Sequence, residues 1–227
     1  VDEENKILKV RQLNEKGRLI ISNSKIIDWK ILLDGSKENK SNKLVEDNLT
    51  GCLTIINSRV ESLKFFSNWA PCEDAINFIN TSGNIAEIFV ENSISDAIDA
   101  DFSDLIFRKV YSSESYNDCL DLSFGSYFLV KGVFKNCGDK ALSVGEKSSF
   151  KIKEVIIKNS NIGIASKDSS LVKILDADID SVKYCLSAYN KKQEFYGGEI
   201  MVDKLNCKNY FDKTQKDESS DIIIQNN

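Results

Sequence analysis

Residues 117–136 read NDCLDLSFGSYFLVKGVFKN, and two similar stretches follow them at a nearly constant interval. They are GDKALSVGEKSSFKIKEVIIKN at 138–159 and NIGIASKDSSLVKILDADIDS at 161–181, so the pattern restarts about every 22 residues. Within each unit, apolar and polar residues alternate over short runs that Asn, Gly, Ser or Asp interrupts, which is typical of short strands and turns. No window shows a sustained period of 3.6 residues, so helices are not predicted.

Aligning the repeats places similar residues in columns. One column is apolar over five repeats, one is serine and one is phenylalanine: Ile98, Leu120, Leu142, Ile164 and Leu186; Ser126, Ser148 and Ser170; Phe128 and Phe150. Because no helix is available to connect parallel strands, short strands at this interval pair best with their copies in the next coil. The sequence therefore predicts an all-β chain that forms a single-stranded, right-handed parallel β-helix.

The inward side chains of such a coil stack on their counterparts about 4.8 Å above and below. We expect Leu120, Leu122, Leu142, Val144 and Ile164 to point into the core and their odd-numbered neighbours to point outward. Asparagine tolerates the left-handed backbone of turns and can hydrogen-bond along a stack. The asparagines expected at turns are Asn57, Asn92, Asn136 and Asn159.

The chain has no linker rich in Pro, Gly or Ser, so we interpret residues 1–227 as one β-helix domain. Residues 1–20 and 208–227 are expected to cap the two ends of the solenoid, because an open end exposes unpaired strand edges. Residues 34–50 are expected to form a polar loop, and residues 189–198 a loop that lengthens one coil.

Composition narrows the class of partner. A formal net charge of −5 argues against nucleic-acid binding, because no basic excess is available to neutralise phosphates. No apolar run approaches the roughly 20 residues that cross a bilayer, so no membrane span is predicted. The six cysteines lie far apart, and without any histidine they do not suggest a zinc site. We expect them to be small core residues rather than disulfides.

The stretches DKALSVGEKS at 139–148 and GIASKDSS at 163–170 resemble the right-handed β-helix repeats of the pectate-lyase-like superfamily. The resemblance covers about residues 85–200. It looks closest to β-helix regions of bacterial proteins that carry a spore-coat CotH-type kinase domain or a lamin-tail domain. It implies a parallel β-helix and a bias toward polysaccharide ligands. It implies no particular reaction, because this fold hosts lyases, hydrolases, epimerases and non-catalytic scaffolds.

Outward residues of neighbouring coils lie one strand spacing apart, so we expect Asp121 over Asp99, with Asp101 in the adjoining column. Two carboxylates about 5 Å apart repel each other unless a cation, a lysine or a shared proton offsets the charge. This patch is therefore the candidate site. Asp99, Asp101 and Asp121 are candidate ligands for Ca²⁺, which would bind or acidify a uronate sugar. Asp99 and Asp121 are also candidates for the acid and base of a glycosidase.

Further outward residues extend this face. With no histidine in the chain, a proton-abstracting base would be a carboxylate, a lysine or a tyrosine. Lys167 is the candidate catalytic lysine, although acidic neighbours oppose the lowered pKa that such a base needs. The candidate sugar-binding residues combine one carboxylate with lysines and aromatic residues: Asp101, Lys147, Tyr189, Lys191, Phe195 and Tyr196.

Three functions fit these residues. The first is a glycan-binding face, in which aromatic rings stack on sugar rings and carboxylates accept hydrogen bonds from hydroxyl groups. The second is a polysaccharide lyase or a glycoside hydrolase that uses Asp99 and Asp121. The third is a structural or partner-binding rod that oligomerises through its open ends or an exposed face. The sequence does not identify the compartment, and the cell surface or the extracellular space is favoured.

Overall fold

The computed structural model describes residues 1–14, 17–35 and 49–225. Within these residues the regular structure is entirely β, and it includes no helix that could cross a membrane. The sixteen strands are β1 (Ile7–Arg11), β2 (Leu19–Ser22), β3 (Lys25–Ile27), β4 (Lys30–Asp34), β5 (Gly51–Ile56), β6 (Arg59–Ser67), β7 (Asp74–Ile79), β8 (Ser82–Ser93), β9 (Asp96–Asp101), β10 (Asp104–Ser115), β11 (Leu120–Ser123), β12 (Ser126–Gly145), β13 (Ser149–Lys167), β14 (Leu171–Tyr189), β15 (Glu199–Lys216) and β16 (Asp221–Ile224).

The strands pair in parallel, each with strands about one coil earlier and one coil later in the chain. Leu120 pairs with Leu142, for example, and Asp121 pairs with Asp99. The chain therefore forms a parallel β-solenoid of about nine turns with about 22 residues per turn. This confirms the fold class predicted from the 22-residue repeat.

Each coil has three straight sides, as the coil of residues 96–117 shows. β9 forms the first side, and residues 104–107 and 109–113 of β10 form the second and third sides, because the ladder to the neighbouring strands is interrupted at Arg108. We call the first side of every coil face A. It consists of β2, β5, β7, β9, β11 and the C-terminal parts of β12 to β15.

The predicted apolar column forms the core behind face A. Its five residues, with Leu122 and Val144, have no or almost no exposed surface, and all are part of one continuous core: Ile98, Leu120, Leu142, Ile164 and Leu186. Burying each such side chain stabilises the fold by roughly 1.5–3 kcal/mol. The inward and outward alternation along β9 and β11 is confirmed.

The serine and phenylalanine columns are wrong by one residue. Ser126 pairs with Ser149, so it does not lie in the same column as Ser148 and Ser170. By the same shift, Phe128 is not stacked on Phe150, which pairs with Tyr127 instead. A second shift between Cys137 and Lys140 restores the 22-residue register before face A is reached again.

The first shift arises at the corner that follows face A, which we call the face A corner. Most coils place one left-handed residue there, but β12 and β13 are joined through two, Glu146 and Lys147, with φ of 50° and 59°. The extra residue lengthens that coil. Residue type alone did not reveal it, because the serines and phenylalanines around the corner allow either alignment.

The expectation for the four turn asparagines is confirmed. All of them have left-handed backbone, with φ of 50° to 59°: Asn57, Asn92, Asn136 and Asn159. All four also hydrogen-bond to a neighbouring coil, and Nδ2 of Asn92 donates to the Asn68 carbonyl at 3.2 Å. The Nδ2 group of Asn159 donates to Oδ1 of Asn136 at 2.7 Å, and that of Asn80 donates to Oδ1 of Asn57 at 2.8 Å.

The expectation that the cysteines are unpaired core residues is wrong. All six form disulfides: Cys52–Cys72, Cys119–Cys137 and Cys185–Cys207. Their sequence separations of 20, 18 and 22 residues are close to one turn of the solenoid. Winding therefore brings cysteines that are distant in sequence to Cα separations of 5.4 to 6.5 Å, a distance at which disulfides form.

The loops and ends also follow the coil. Between β14 and β15, residues 190–198 contain no strand, and Leu171 pairs with Glu199, so the lengthened coil is confirmed. Most of the polar loop expected at 34–50 lies outside the described residues. The capping roles of residues 1–20 and 208–227 stay predictions. Strand β1 lies in the first of these segments and the end of β15 in the second.

Candidate functional site

A column of polar residues runs along the outer surface of face A, where the sequence predicts the candidate site. Asn77 pairs with Asp99, Asp99 with Asp121, and Asp121 with Ser143. The predicted stacking of Asp121 on Asp99 is thus confirmed. Asp101 lies in the adjoining outward column, where it pairs with Ser123, as the sequence also predicts.

This column is covered at both ends and partly open in the middle. Asn77 and Ser143 are buried, although they point away from the core, whereas Asp99 and Asp121 are half-buried. Beyond Ser143, Ala165 is buried as well. The middle coils of face A therefore form a recess. We call it the acidic groove and define it by Asp96, Asp99, Asp101, Asp118 and Asp121.

The loop of residues 190–198 lies next to the groove and is held on face A at both of its ends. The main-chain N–H groups of Lys191 and Lys192 donate to Oδ1 of Asp168 at 2.7 and 2.8 Å, which fixes the start of the loop. At the other end of the loop, Gly198 packs so closely on the carbonyl of Ser166 that a Cβ atom would overlap it. The loop therefore lies directly on the C-terminal coils of face A.

Asp99 is the most perturbed carboxyl group of the groove. Its Oδ2 accepts a hydrogen bond from Nδ2 of Asn77 at 2.9 Å. Burial, followed by the negative charges of Asp74, Asp101 and Asp121, raises the pKa of Asp99 well above its usual range. Burial also raises the pKa of Asp101, and a hydrogen bond with Asp99 opposes that rise. Both shifts favour the protonated forms of these two neighbouring carboxyl groups.

A second set of charges lies at the start of the same strands. Burial and the neighbouring charge of Asp118 raise the pKa of Asp96 to about 7. Asp118 itself is buried, and its Oδ1 lies 3.4 Å from Nζ of Lys140. Burial raises the pKa of Asp118 while Lys140 opposes the rise. Lys140 also contacts Asp139, so this lysine holds two carboxylates at the edge of the groove.

Lys167, the predicted catalytic lysine, does lie beside the carboxylate pair. Its Nζ is 3.9 Å from Oδ1 of Asp121, and its side chain is almost fully buried. That carboxylate oxygen is buried and makes no hydrogen bond within the described part of the chain. Tyr189 pairs with Lys167 on the next strand, and burial raises the pKa of its hydroxyl group. The structure therefore brings these three predicted residues together.

Where the groove meets the loop of residues 190–198, the charged side chains differ from those predicted. Lys191 contributes only its main chain, and the neighbouring Lys192 reaches the site instead, with Nζ 2.5 Å from Oε1 of Glu146. The other oxygen of Glu146 accepts a hydrogen bond from the Ser123 hydroxyl at 2.6 Å. Despite burial, these partners lower the pKa of Glu146, because its ionised form is paired and hydrogen-bonded.

The predicted aromatic residues separate into two groups. The ring of Phe195 packs against Phe124, with centroids 6.2 Å apart, and Nζ of Lys147 lies 5.7 Å from its centroid. Tyr196 is 82% exposed, and no aromatic contact of its ring occurs among the described residues. Phe124 and its neighbour Phe102 were not predicted as site residues. Lys140 was not predicted either, although its position 22 residues after Asp118 indicates that the two side chains are neighbours.

Metal binding is less well supported than acid chemistry. Within residues 1–14, 17–35 and 49–225, no group of three or more His, Cys, Asp or Glu side chains is arranged to hold a metal ion. The contacts of its acidic groups are instead made by the Asn77 amide and by Lys140 and Lys167. The calcium site at Asp99, Asp101 and Asp121 stays a prediction.

Face A thus carries a half-open acidic recess with two lysines in it and phenylalanine rings at its edge. The geometry of these side chains carries the argument for a site, because β-solenoids with very different activities share one architecture. A scan against models of protein families and a search of curated proteins give no match to this chain.

Proposed function

We propose that the protein binds a polysaccharide along the acidic groove. The observation that carries the proposal is the recess itself: five aspartates meet in one half-open stretch of face A, beside exposed aromatic rings. Protonated carboxyl groups donate hydrogen bonds and ionised ones accept them, so the mixture can pair with sugar hydroxyl groups of either orientation. A solenoid presents such groups at a fixed spacing along an extended ligand.

The charge of the groove favours a neutral sugar or an amino sugar. Lys140 and Lys167 are already paired with Asp118 and Asp121. Asp96, Asp99 and Asp101 have no lysine or arginine within 4.0 Å in the described part of the chain. A uronate would add a further negative charge and meet repulsion, unless a cation such as Ca²⁺ bridged the two.

The resemblance to pectate-lyase-like repeats supports the same class of ligand. The 22-residue parallel solenoid is the architecture that this superfamily uses. Membership of the superfamily, and an association with CotH-type or lamin-tail domains, are part of the proposal.

The test is a binding panel of soluble neutral, amino and uronate polysaccharides, measured by affinity electrophoresis and calorimetry. We expect binding to a neutral or amino polymer that Asp121→Ala weakens at least tenfold. Asp176→Ala is the control, because Asp176 is an exposed aspartate on the third side of the solenoid. If only uronates bind, and EDTA abolishes binding, the calcium alternative replaces this proposal. If nothing binds, the structural or partner-binding rod is favoured.

Glycoside hydrolysis is the second candidate function. Asp99, whose pKa is raised, lies next to Asp121, and such enzymes use a pair of carboxyl groups in which one is the general acid and the other the base or nucleophile. A lyase is less well supported, because the carboxylate beside Lys167 opposes the neutral amine that a base requires.

Release of reducing ends from the bound polymer tests hydrolysis. We expect Asp99→Asn to abolish turnover while the polymer still binds, because the amide keeps the hydrogen bonds but cannot donate a proton to the leaving group. Products with unsaturated ends would indicate a lyase, and binding without any product would leave the protein as a binding module.

The disulfides support a location outside the cytosol. All six cysteines are paired, and disulfides of this kind persist outside the reducing cytosol. We therefore place the proposed function at the cell surface or in the extracellular space. Thiol titration of protein isolated from its native source without reductant is expected to find no free thiol, and six reactive thiols would contradict this placement.

A further inference from the structure

Two phenylalanines occupy a backbone conformation that bulky residues rarely adopt. Phe102 and Phe124 each have φ of 51°, at the face A corner of two successive coils. In the preceding coils the same corner is formed by Asn57 and Asn80, and the main-chain hydrogen bonds there follow the same pattern. Asparagine tolerates left-handed backbone, whereas for an aromatic residue it is a strained outlier.

The rings of these two residues stack face to face and are exposed to solvent. Their centroids are 4.7 Å apart and their planes differ by 5°, with 57% of Phe102 and 39% of Phe124 exposed. Phe195 closes one side, with its ring inclined by 62° to that of Phe124. We call the three rings the phenylalanine platform. Strained backbone and exposed apolar rings both oppose folding stability, and strain of this kind concentrates at functional sites.

The platform continues directly from the acidic groove. Asp101 precedes Phe102 in the chain, and Ser123 precedes Phe124. The Ser123 hydroxyl donates a hydrogen bond to Glu146. Hydroxyl and carboxylate groups therefore lie next to the rings. A pyranose ring has the matching chemistry, since it presents an apolar face of C–H groups and a rim of hydroxyl groups. Aromatic faces bury such apolar surface while polar neighbours bind the rim.

We propose that the phenylalanine platform is a sugar-binding subsite at the end of the acidic groove, where the outer face of Phe102, supported from behind by Phe124, stacks on one pyranose ring of a neutral or amino polysaccharide. The inference rests on the proposed polysaccharide binding and adds the residues that select a ring with an apolar face. A second copy of this chain is a poorer occupant. A symmetric contact through the platform would bring the Asp101 carboxyl groups of the two copies close together, and like charges at an interface oppose association.

The test is the double substitution Phe102→Asn and Phe124→Asn, which installs the residue that the earlier coils carry at this corner. The probes are soluble neutral and N-acetylamino oligosaccharides, titrated by calorimetry, together with saturation-transfer NMR from the aromatic protons. We expect binding at least tenfold weaker than in the parent protein, and loss of transfer to the sugar C–H protons. Phe102→Tyr with Phe124→Tyr is expected to retain binding, because tyrosine preserves the aromatic faces.

The control is Phe211→Asn, since Phe211 is an aromatic residue of similar exposure, 74%, on the last long strand. It is expected to leave binding unchanged. If Asp121→Ala abolishes binding while the double asparagine variant binds as well as the parent, the platform inference is wrong and the groove proposal stands. If the parent binds no sugar, both fail. If the asparagine variant changes sedimentation and not sugar binding, the platform is a self-association surface instead.

Discussion

From its middle to its C-terminal end, the outer column of face A has an open half followed by a covered half, and the two halves differ in residue type as well as in exposure. In the half-open coils it carries Asp99 and Asp121, and in the covered coils it continues as Ser143, Ala165 and Ser187. The backbone and the pairing are the same in both halves, so the fold does not require the aspartates. Small side chains occur where the column is covered, and carboxyl groups occur where solvent and a ligand can reach them.

The largest effect is expected from moving a carboxylate into the covered half. Ala165→Asp places a charge in a fully buried position, and we expect a loss of about 3–5 kcal/mol in the free energy of unfolding. Urea denaturation followed by circular dichroism measures it. Leu175→Asp is the control, because Leu175 is half-exposed and its substitution is expected to cost far less. A well-tolerated Ala165→Asp would mean that the groove extends further than proposed.

The next effect concerns the disulfides, one pair of which adjoins each half. Cys119–Cys137 lies beside the open coils and Cys185–Cys207 beside the covered ones. Replacing either pair with alanine is expected to cost about 3 kcal/mol, because each closes a loop of about one turn. Only the Cys119–Cys137 change should also weaken sugar binding, since Cys119 directly precedes β11. Equal loss of binding in both variants would show that the halves are not independent.

The repeat made the fold predictable, and the site only in part. A 22-residue period fixes which residues stack, so Leu120 was placed in the core and Asp121 over Asp99 from spacing alone. The disulfides were not predicted, although the same period brings cysteines 18 to 22 residues apart next to each other on neighbouring coils.

What could not be predicted depends on corners and loops, where the period breaks. The extra residue at the Glu146 corner shifted two predicted columns, and the loop after Tyr189 decided which of two adjacent lysines reaches the groove. Phe102 and Phe124 are 22 residues apart, as the repeat requires, but they were not predicted as site residues. A phenylalanine next to a strand suggests core packing, and only the backbone φ shows that these two are at a turn.

A smaller effect is expected from pH in the open half. The pKa of Asp96 is about 7, raised by burial and by Asp118, against about 3.8 for an unfolded aspartate. Between these values the unfolded chain releases its proton first, so the contribution of this group to stability is full below pH 4 and falls as the pH rises to about 7.

Denaturation curves of the parent and of Asp96→Asn at pH 5 and pH 8.5 measure this dependence. The variant is expected to lose less stability between the two pH values, because the amide stays neutral. Asp74, Asp118 and Asp121 are carboxyl groups that face Asp96, and the raised pKa values of Asp74 and Asp118 contribute to the remainder. A parent protein that becomes more stable as the pH rises from 5 to 8.5 would contradict the raised pKa values of the groove.

The smallest effect is expected at the phenylalanine platform. Phe102→Asn relieves a strained left-handed backbone, worth about 1–3 kcal/mol, and removes a stacked ring pair worth about 0.5–1.5 kcal/mol together with some buried apolar surface. The terms oppose each other, so the free energy of unfolding should change by less than about 1 kcal/mol. Phe107→Ala, at a fully buried ring in the same coil, should cost about 3–5 kcal/mol. A comparable loss for Phe102→Asn would assign that ring a structural role and remove the reason for a ligand to explain its strain.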